Sequence, residues 1–233
     1  MMIRKAYVYS ELNSQTKKRK SMLTQVNNPL MRASDITYLT ENQLNALTEA
    51  FRDYYDEDIK RARRINRGRY WLVYLVLRFT GARLGEVLNI DDKTDIDFRN
   101  YEIKLITLKQ KTTSNKKNKY KTPSRIVPVP ANVIAEIANY IATYPHMRGK
   151  IFKLDQGNFR RKFYELSNNA GIPKPLAHPH ILRHSRAIEL LKAGVPITIV
   201  QNLLGHAYLT TTAIYLQITN SDAKYILKER GLI

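Results

Sequence analysis

The chain has 233 residues, 39 of them Lys or Arg against 20 Asp or Glu, which gives a formal net charge of +19. With 43% hydrophobic residues, 25% charged residues, nine Gly and nine Pro, its composition is that of a folded domain and excludes a disordered or collagenous chain. There is no Cys, which excludes disulfides and thiolate metal sites, and the longest apolar run, Tyr70 to Leu77, falls far short of the roughly 18 residues of a membrane span.

Residues 1–34 are polar and basic, include Lys17-Lys18-Arg19-Lys20, and show no sustained period, so they read as an arm. Nothing at the N-terminus is apolar enough for a secretory signal, and a cytoplasmic home is expected. Order is predicted to begin at Thr40-Glu41-Asn42-Gln43, which fits a capping box ahead of Leu44, Leu47, Phe51 and Tyr54 at helical spacing. Trp71, Leu72, Leu75 and Val76 continue as a buried helix as far as Gly81. Leu84, Val87 and Leu88 resume the period beyond it, which puts Arg83 near a helix start. Tyr101 to Leu108 and Arg125 to Pro130 are rich in strand formers and flank a lysine-rich stretch, the pattern of a β-hairpin with a long basic turn. Pro128 and Pro130 confine the second strand to an edge or to its end.

Further helices are predicted around Val133, Ile134, Ile137 and Ile141, around Phe159, Phe163 and Leu166, from Pro179 to Gly194, and from Ile197 to Gly205. Thr210 to Ile218 and Asp222 to Glu229 complete the chain. The expected fold class is mainly α with a small antiparallel β-sheet (α+β).

Charge is more informative by position than by sum. From Lys104 to Arg125 there are eight basic residues and no acidic one: Lys104, Lys109, Lys111, Lys116, Lys117, Lys119, Lys121 and Arg125. A second group, which includes Arg63, Arg64 and Arg67, precedes the apolar helix, and the arm holds a third. Three such runs in one small chain point to a polyanion, with double-stranded DNA the expected partner and a steep salt dependence expected of binding.

With phosphate as the target, four elements stand out: Thr80 to Glu86 around Arg83, His180-Ile181-Leu182-Arg183-His184, Leu204-Gly205-His206, and Tyr215. Each also has a plainer reading. Arg83 can pair with Glu86 one helical turn on, Gly205 can be a helix stop, and Tyr215 can pack beside Ile214 and Ile218. His178, His180, His184 and His206 invite a metal reading. The cluster has no carboxylate, Cys or His-Glu-x-x-His arrangement, and its basic surroundings repel a cation, so no metal is expected.

In combination and in this order, these elements resemble the tyrosine recombinase (integrase) family over about residues 35–233. Gly81-Ala82-Arg83-Leu84-Gly85-Glu86 looks like the first Arg motif, His180 and Arg183 match the His-x-x-Arg box, and Leu204-Gly205-His206 matches the Leu-Gly-His box. Tyr215, nine positions after His206, stands where the nucleophile stands. The resemblance implies the catalytic-domain fold of DNA breaking-rejoining enzymes. It implies a site-specific recombinase acting through a covalent 3′-phosphotyrosyl intermediate, without metal or nucleotide cofactor. Arg83 and Arg183 would stabilise the phosphate, His180 would be general base or proton relay, His206 would hydrogen-bond the phosphate, and Glu86 would support Arg83. The general acid would be a hairpin lysine, Lys111 or its close competitor Lys109. Phosphate contacts are expected from Lys109, Lys116, Lys117, Lys119, Lys121, Arg125, Arg63, Arg64 and Arg67.

Two further activities fit the same residues: topoisomerase-like nicking and rejoining, and DNA binding without catalysis. Family members usually carry a helical domain ahead of the catalytic one, for which 34 residues are too few. Either the arm substitutes for part of that domain, or the enzyme is a minimal single-domain recombinase, or the chain is the catalytic part of a longer product. The expectation favours a minimal enzyme whose arm lies along phosphates, monomeric in solution and assembling to a dimer or tetramer on DNA. Its apolar tail, residues 221–233, would dock on a neighbouring protomer or on its own domain. The setting would be a prokaryotic cell, or its virus or plasmid, with the protein at the nucleoid.

Overall fold

Helix α1, Glu41–Asp56, begins where its sequence supplies the cap. The Thr40 hydroxyl accepts from the Gln43 N–H at 3.4 Å, and the Gln43 side-chain oxygen accepts from the Thr40 N–H at 2.9 Å. Two otherwise orphaned donors are thereby satisfied. The structure, a computed structural model, describes residues 37–57, 60–107, 123–205, 228 and 231. All of them belong to one unit, Ile36–Ile233. The N-terminal arm, the basic turn, and the segment carrying His206, Tyr215 and nearly all of the tail lie outside the described residues.

Helix α2, Arg61–Thr80, is the axis of the unit. Every residue from Tyr70 to Leu77 is buried, so this stretch is apolar on all sides and must be surrounded. It packs against α1, α4 (Ala131–Thr143) and α6 (His180–Lys192). Phe51 of α1 stacks on Tyr74 at 4.2 Å between ring centroids, and Phe159 of α5 (Gln156–Asn169) lies parallel to Tyr70 at 5.9 Å. Polar tips on this core find partners. Tyr74 OH pairs with Thr48 Oγ1 at 2.7 Å, Tyr140 OH donates to the Ile65 carbonyl at 2.7 Å, and the Trp71 indole donates to Glu136 at 3.1 Å. Burial pushes the Tyr74 phenol up to about 12, so it stays neutral.

Three antiparallel strands, β1 (Ile96–Asp97), β2 (Glu102–Ile106) and β3 (Ser124–Pro128), form a sheet in that order. Strand β3 is an edge strand with Pro128 as its last residue, in keeping with a ring that cannot donate to a ladder. The register pairs Ile103 with Val127 and Leu105 with Arg125. Ile103, Leu105 and Val127 are buried, so period-two alternation places Arg125 on the same inner face.

The short helix α3, Leu84–Leu88, connects α2 to the sheet. Helix α7, Ile197–Leu204, closes over α6 through Ala187, Ile188, Leu191, Val200 and Leu204. Helices α2 and α7 both end at a glycine in the left-handed conformation, Gly81 at φ +62° and Gly205 at φ +70°. Among the described residues, no helix is long and apolar enough to cross a membrane.

Candidate active site

The site is assembled at the C-terminal end of α2, where the chain must turn tightly. A Cβ on Gly81 would meet Leu204 Cδ2 at 2.6 Å and Arg186 Cβ at 3.3 Å, so α6 and α7 press directly on this turn. The Gly81 carbonyl accepts from Arg183 Nη1 at 2.9 Å. Arg183, on α6, is 2% exposed and is among the largest fully buried side chains. Two residues beyond Gly81, Arg83 takes the N-cap position of α3 in extended backbone. One turn therefore sets the positions of both arginines that the sequence singled out, although 100 residues separate them in the chain.

Glu86 organises the polar side of this turn. Its carboxylate, 1% exposed, accepts from the Arg83 N–H at 3.1 Å and from Arg83 Nη1 at 2.9 Å. The plainer expectation for Arg83, a pair with Glu86, is thus part of the same arrangement. Glu86 also accepts from Arg125 Nη2 at 2.7 Å. Burial pushes the Glu86 carboxyl up, but the hydrogen bonds and charge of Arg125 and the bonds from Arg83 outweigh it, leaving the group below its ordinary value and ionised at neutral pH.

Arg125 was expected among the phosphate contacts; the structure instead turns its guanidinium inward. The side chain is 11% exposed. Besides Glu86 it reaches the Leu203 carbonyl at 2.8 Å through Nε and Thr107 Oγ1 at 3.3 Å through Nη1. The physical reason is strand parity: Arg125 shares the inward face with Val127. That signal was legible in the alternation of Arg125, Val127 and Val129 with Ile126, and the local run of positive charge obscured it.

His180 opens α6 and senses both arginines. Desolvation first, then the charges of His184, Arg183, His178 and Arg83, push its imidazole down to about 4. His184 lies edge-on to it, with ring centroids 4.7 Å apart, and is also pushed down to about 4, by burial and then by the charges of His178 and Arg183. Both rings are therefore neutral at pH 7, and a neutral imidazole can accept a proton. Among the described residues, no group of three or more His, Cys, Asp or Glu side chains is arranged to hold a metal ion.

The structure brings together Arg83, Glu86, His180 and Arg183, with Arg125 behind them. Arg63, Arg64 and Arg67 stand at the other end of α2, about 20–30 Å away at 1.5 Å of rise per residue. Arg64 pairs with Asp56 at 3.9 Å and lies over the Tyr55 ring, while Arg67 pairs with Glu57 and lies 4.3 Å from the Tyr54 ring centroid. Arg63 is exposed, and Arg64 and Arg67 are half-buried. Lys109, Lys111, Lys116, Lys117, Lys119, Lys121, His206 and Tyr215 lie outside the described residues. Sequence reasoning also missed a tie between α2 and α6: Arg78 makes two bonds to Glu189, at 2.7 and 2.5 Å, and Arg186 reaches the same carboxylate at 3.3 Å.

Residues 37–222 match the model of the phage integrase family. The chain belongs to that family. Among its integrase relatives, a tyrosine recombinase of Thermosipho africanus is 30% identical over 207 residues, which cover 86% of this chain and 64% of the relative. The crystal structure of XerA recombinase superposes with a TM-score of 0.61 at 26% identity, covering 83% of this chain and 63% of that one. XerH site-specific recombinase bound to difH substrate, in a pre-cleavage complex, shares the fold with a TM-score of 0.60 at 23% identity, covering 80% of this chain and 52% of that one. The mainly helical unit with its small antiparallel sheet is thus an integrase catalytic-domain fold. The integrase chain spans 34–64% of the length of the curated relatives it matches.

Proposed function

We propose that this integrase is a site-specific DNA recombinase that cleaves and rejoins strands through a 3′-phosphotyrosyl intermediate on Tyr215. The observation that carries the reading is the placement of Arg83 and Arg183 by the one turn at Gly81, together with a neutral His180. Two guanidinium forks can match the non-bridging oxygens of a phosphodiester and stabilise the charge they gain in the transition state. Glu86 holds the Arg83 fork. Tyr215 attacks phosphorus, the phenolic proton passes to His180, and the bond to the 5′-oxygen breaks. A hairpin lysine, Lys111 or Lys109, protonates that oxygen, and His206 hydrogen-bonds the phosphate. In the reverse step a DNA 5′-hydroxyl attacks the phosphotyrosyl ester, which has conserved the bond energy, so no nucleotide or metal enters the scheme.

Double-stranded DNA as the partner is supported by the charge of +19 and by the DNA-bound state of XerH. Residues 1–34 and the hairpin lysines would lie along phosphates, and protomers would meet as a dimer or tetramer on DNA, within a prokaryotic cytoplasm. The experiment is covalent trapping. The full chain is incubated with fragmented host and mobile-element DNA in EDTA and denatured in detergent, and protein-linked ends are sequenced. Adducts from the unmutated chain and none from Tyr215→Phe are expected; adducts that persist in Tyr215→Phe, or none from either, overturn the reading.

A further inference from the structure

Arg125 occupies a position that packing alone would give to an aliphatic residue: it stands opposite Leu105, which is fully buried, on the inner face of the sheet. A guanidinium there must have its N–H groups satisfied. Each of its three nitrogens donates: Nε to the Leu203 carbonyl at 2.8 Å, Nη1 to Thr107 Oγ1 at 3.3 Å, and Nη2 to Glu86 Oε2 at 2.7 Å. These acceptors belong to three segments far apart in the chain, and each adjoins a residue of the proposed reaction. Glu86 holds Arg83 with its other oxygen at 2.9 Å. Thr107 stands two residues before Lys109 and four before Lys111 at the exit of β2. Leu203 lies three residues before His206.

Gly205 completes the contact. A Cβ there would meet Arg125 Nη1 at 2.7 Å and Cζ at 2.9 Å, so the missing side chain is what lets the turn before His206 lie on the guanidinium plane. Gly205 is therefore a helix stop and a close-approach point at once.

We propose that Arg125 is a positioning residue, one planar guanidinium that registers the segments bearing Arg83, the hairpin lysine and His206 against one another. The inference rests on the recombinase reading. A planar fork fixes three acceptors in one plane; an ammonium of the same charge cannot. A purely structural ion pair would affect stability alone, whereas a positioning residue affects the reacting groups.

The test uses the full chain, unmutated and as Arg125→Lys and Arg125→Met, on a duplex carrying a cleavage site recovered by trapping. The duplex is made in two forms, with an ordinary scissile phosphodiester and with a 5′-bridging phosphorothiolate, whose thiolate departs without needing a proton. Single-turnover adduct formation is read beside DNA affinity and thermal midpoint. Arg125→Lys, which keeps the charge beside Glu86, is expected to stay folded and bind DNA like the unmutated chain, yet form the phosphodiester adduct about 100-fold more slowly. The phosphorothiolate is expected to recover about tenfold or more of that loss, because the misplaced lysine is no longer required. Arg125→Met is expected to show the same pattern with a lower midpoint. Cleavage by Arg125→Lys at the unmutated rate, or equal losses on both duplexes, overturns the positioning role alone. An unmutated chain that forms no adduct overturns the recombinase reading, and the positioning role with it.

Discussion

The two ends of α2 handle arginine in different ways. At the N-terminal end, Arg64 and Arg67 lie against Tyr55 and Tyr54 and pair with Asp56 and Glu57, carboxylates that are 51% and 59% exposed. At the C-terminal end, Arg83, Arg125 and Arg183 surround a single fully buried carboxylate and two backbone carbonyls. The carboxylates of the first group are screened by water, although Arg67 is itself 17% exposed and also donates to the Tyr54 carbonyl at 3.0 Å. The second has exchanged water for fixed acceptors drawn from four segments, so its members depend on one another. Identical side chains thus meet exposed carboxylates at one end and a shared buried carboxylate at the other, and the difference lies in what surrounds them.

The largest effect on this comparison should come from Glu86→Ala. Removing the buried carboxylate that they share leaves Arg83 and Arg125 facing each other uncompensated, and urea denaturation should show a loss of about 3 kcal/mol. A loss no larger than that of a surface pair would mean that the two ends of α2 do not differ in kind.

Acid should act next, through the histidines at the site end. His180 and His184 hold values of about 4 in the folded chain against 6.5 for a free imidazole. As pH falls below 6.5 the unfolded chain takes up protons that the folded chain refuses. Their contribution to stability is therefore complete above pH 6.5 and declines as pH falls towards 4. Thermal midpoints measured across that range should fall, and His184→Asn should flatten the curve; an unaltered curve would place His184 in a solvated environment.

The smallest effect is expected from Arg64→Ala at the opposite end. Arg64 and its partner Asp56 are 42% and 51% exposed, so the unfolding free energy should change by less than about 1 kcal/mol, a value that denaturant titration resolves. A change as large as that of Glu86→Ala would make the N-terminal cluster a second cooperative network.

Much of the fold was legible in the sequence, because it depends on neighbours along the chain. Thr40 and Gln43 cap α1, Gly81 and Gly205 stop their helices, Pro128 ends an edge strand, and the apolar spacing of Trp71, Leu72, Leu75 and Val76 marks a helix that has to be enclosed. The family boxes were legible for the same reason, since each is a short contiguous pattern at a helix end. Arg125 was misplaced because a run of one charge sign describes composition, whereas the inward or outward direction of a strand residue follows from which neighbours are buried.

By itself the sequence determined the helices, the hairpin, the basic charge and the order of the boxes, all of which follow from local propensity and spacing. Only the tertiary structure decided that one turn serves Arg83 and Arg183, that Glu86 is shared by two arginines, and that Arg125 belongs to the framework of the site. Those contacts join residues 81 to 183, 86 to 125 and 125 to 203. A hydrogen bond across such separations is set by how helices and sheet pack, and no local pattern along the chain encodes it.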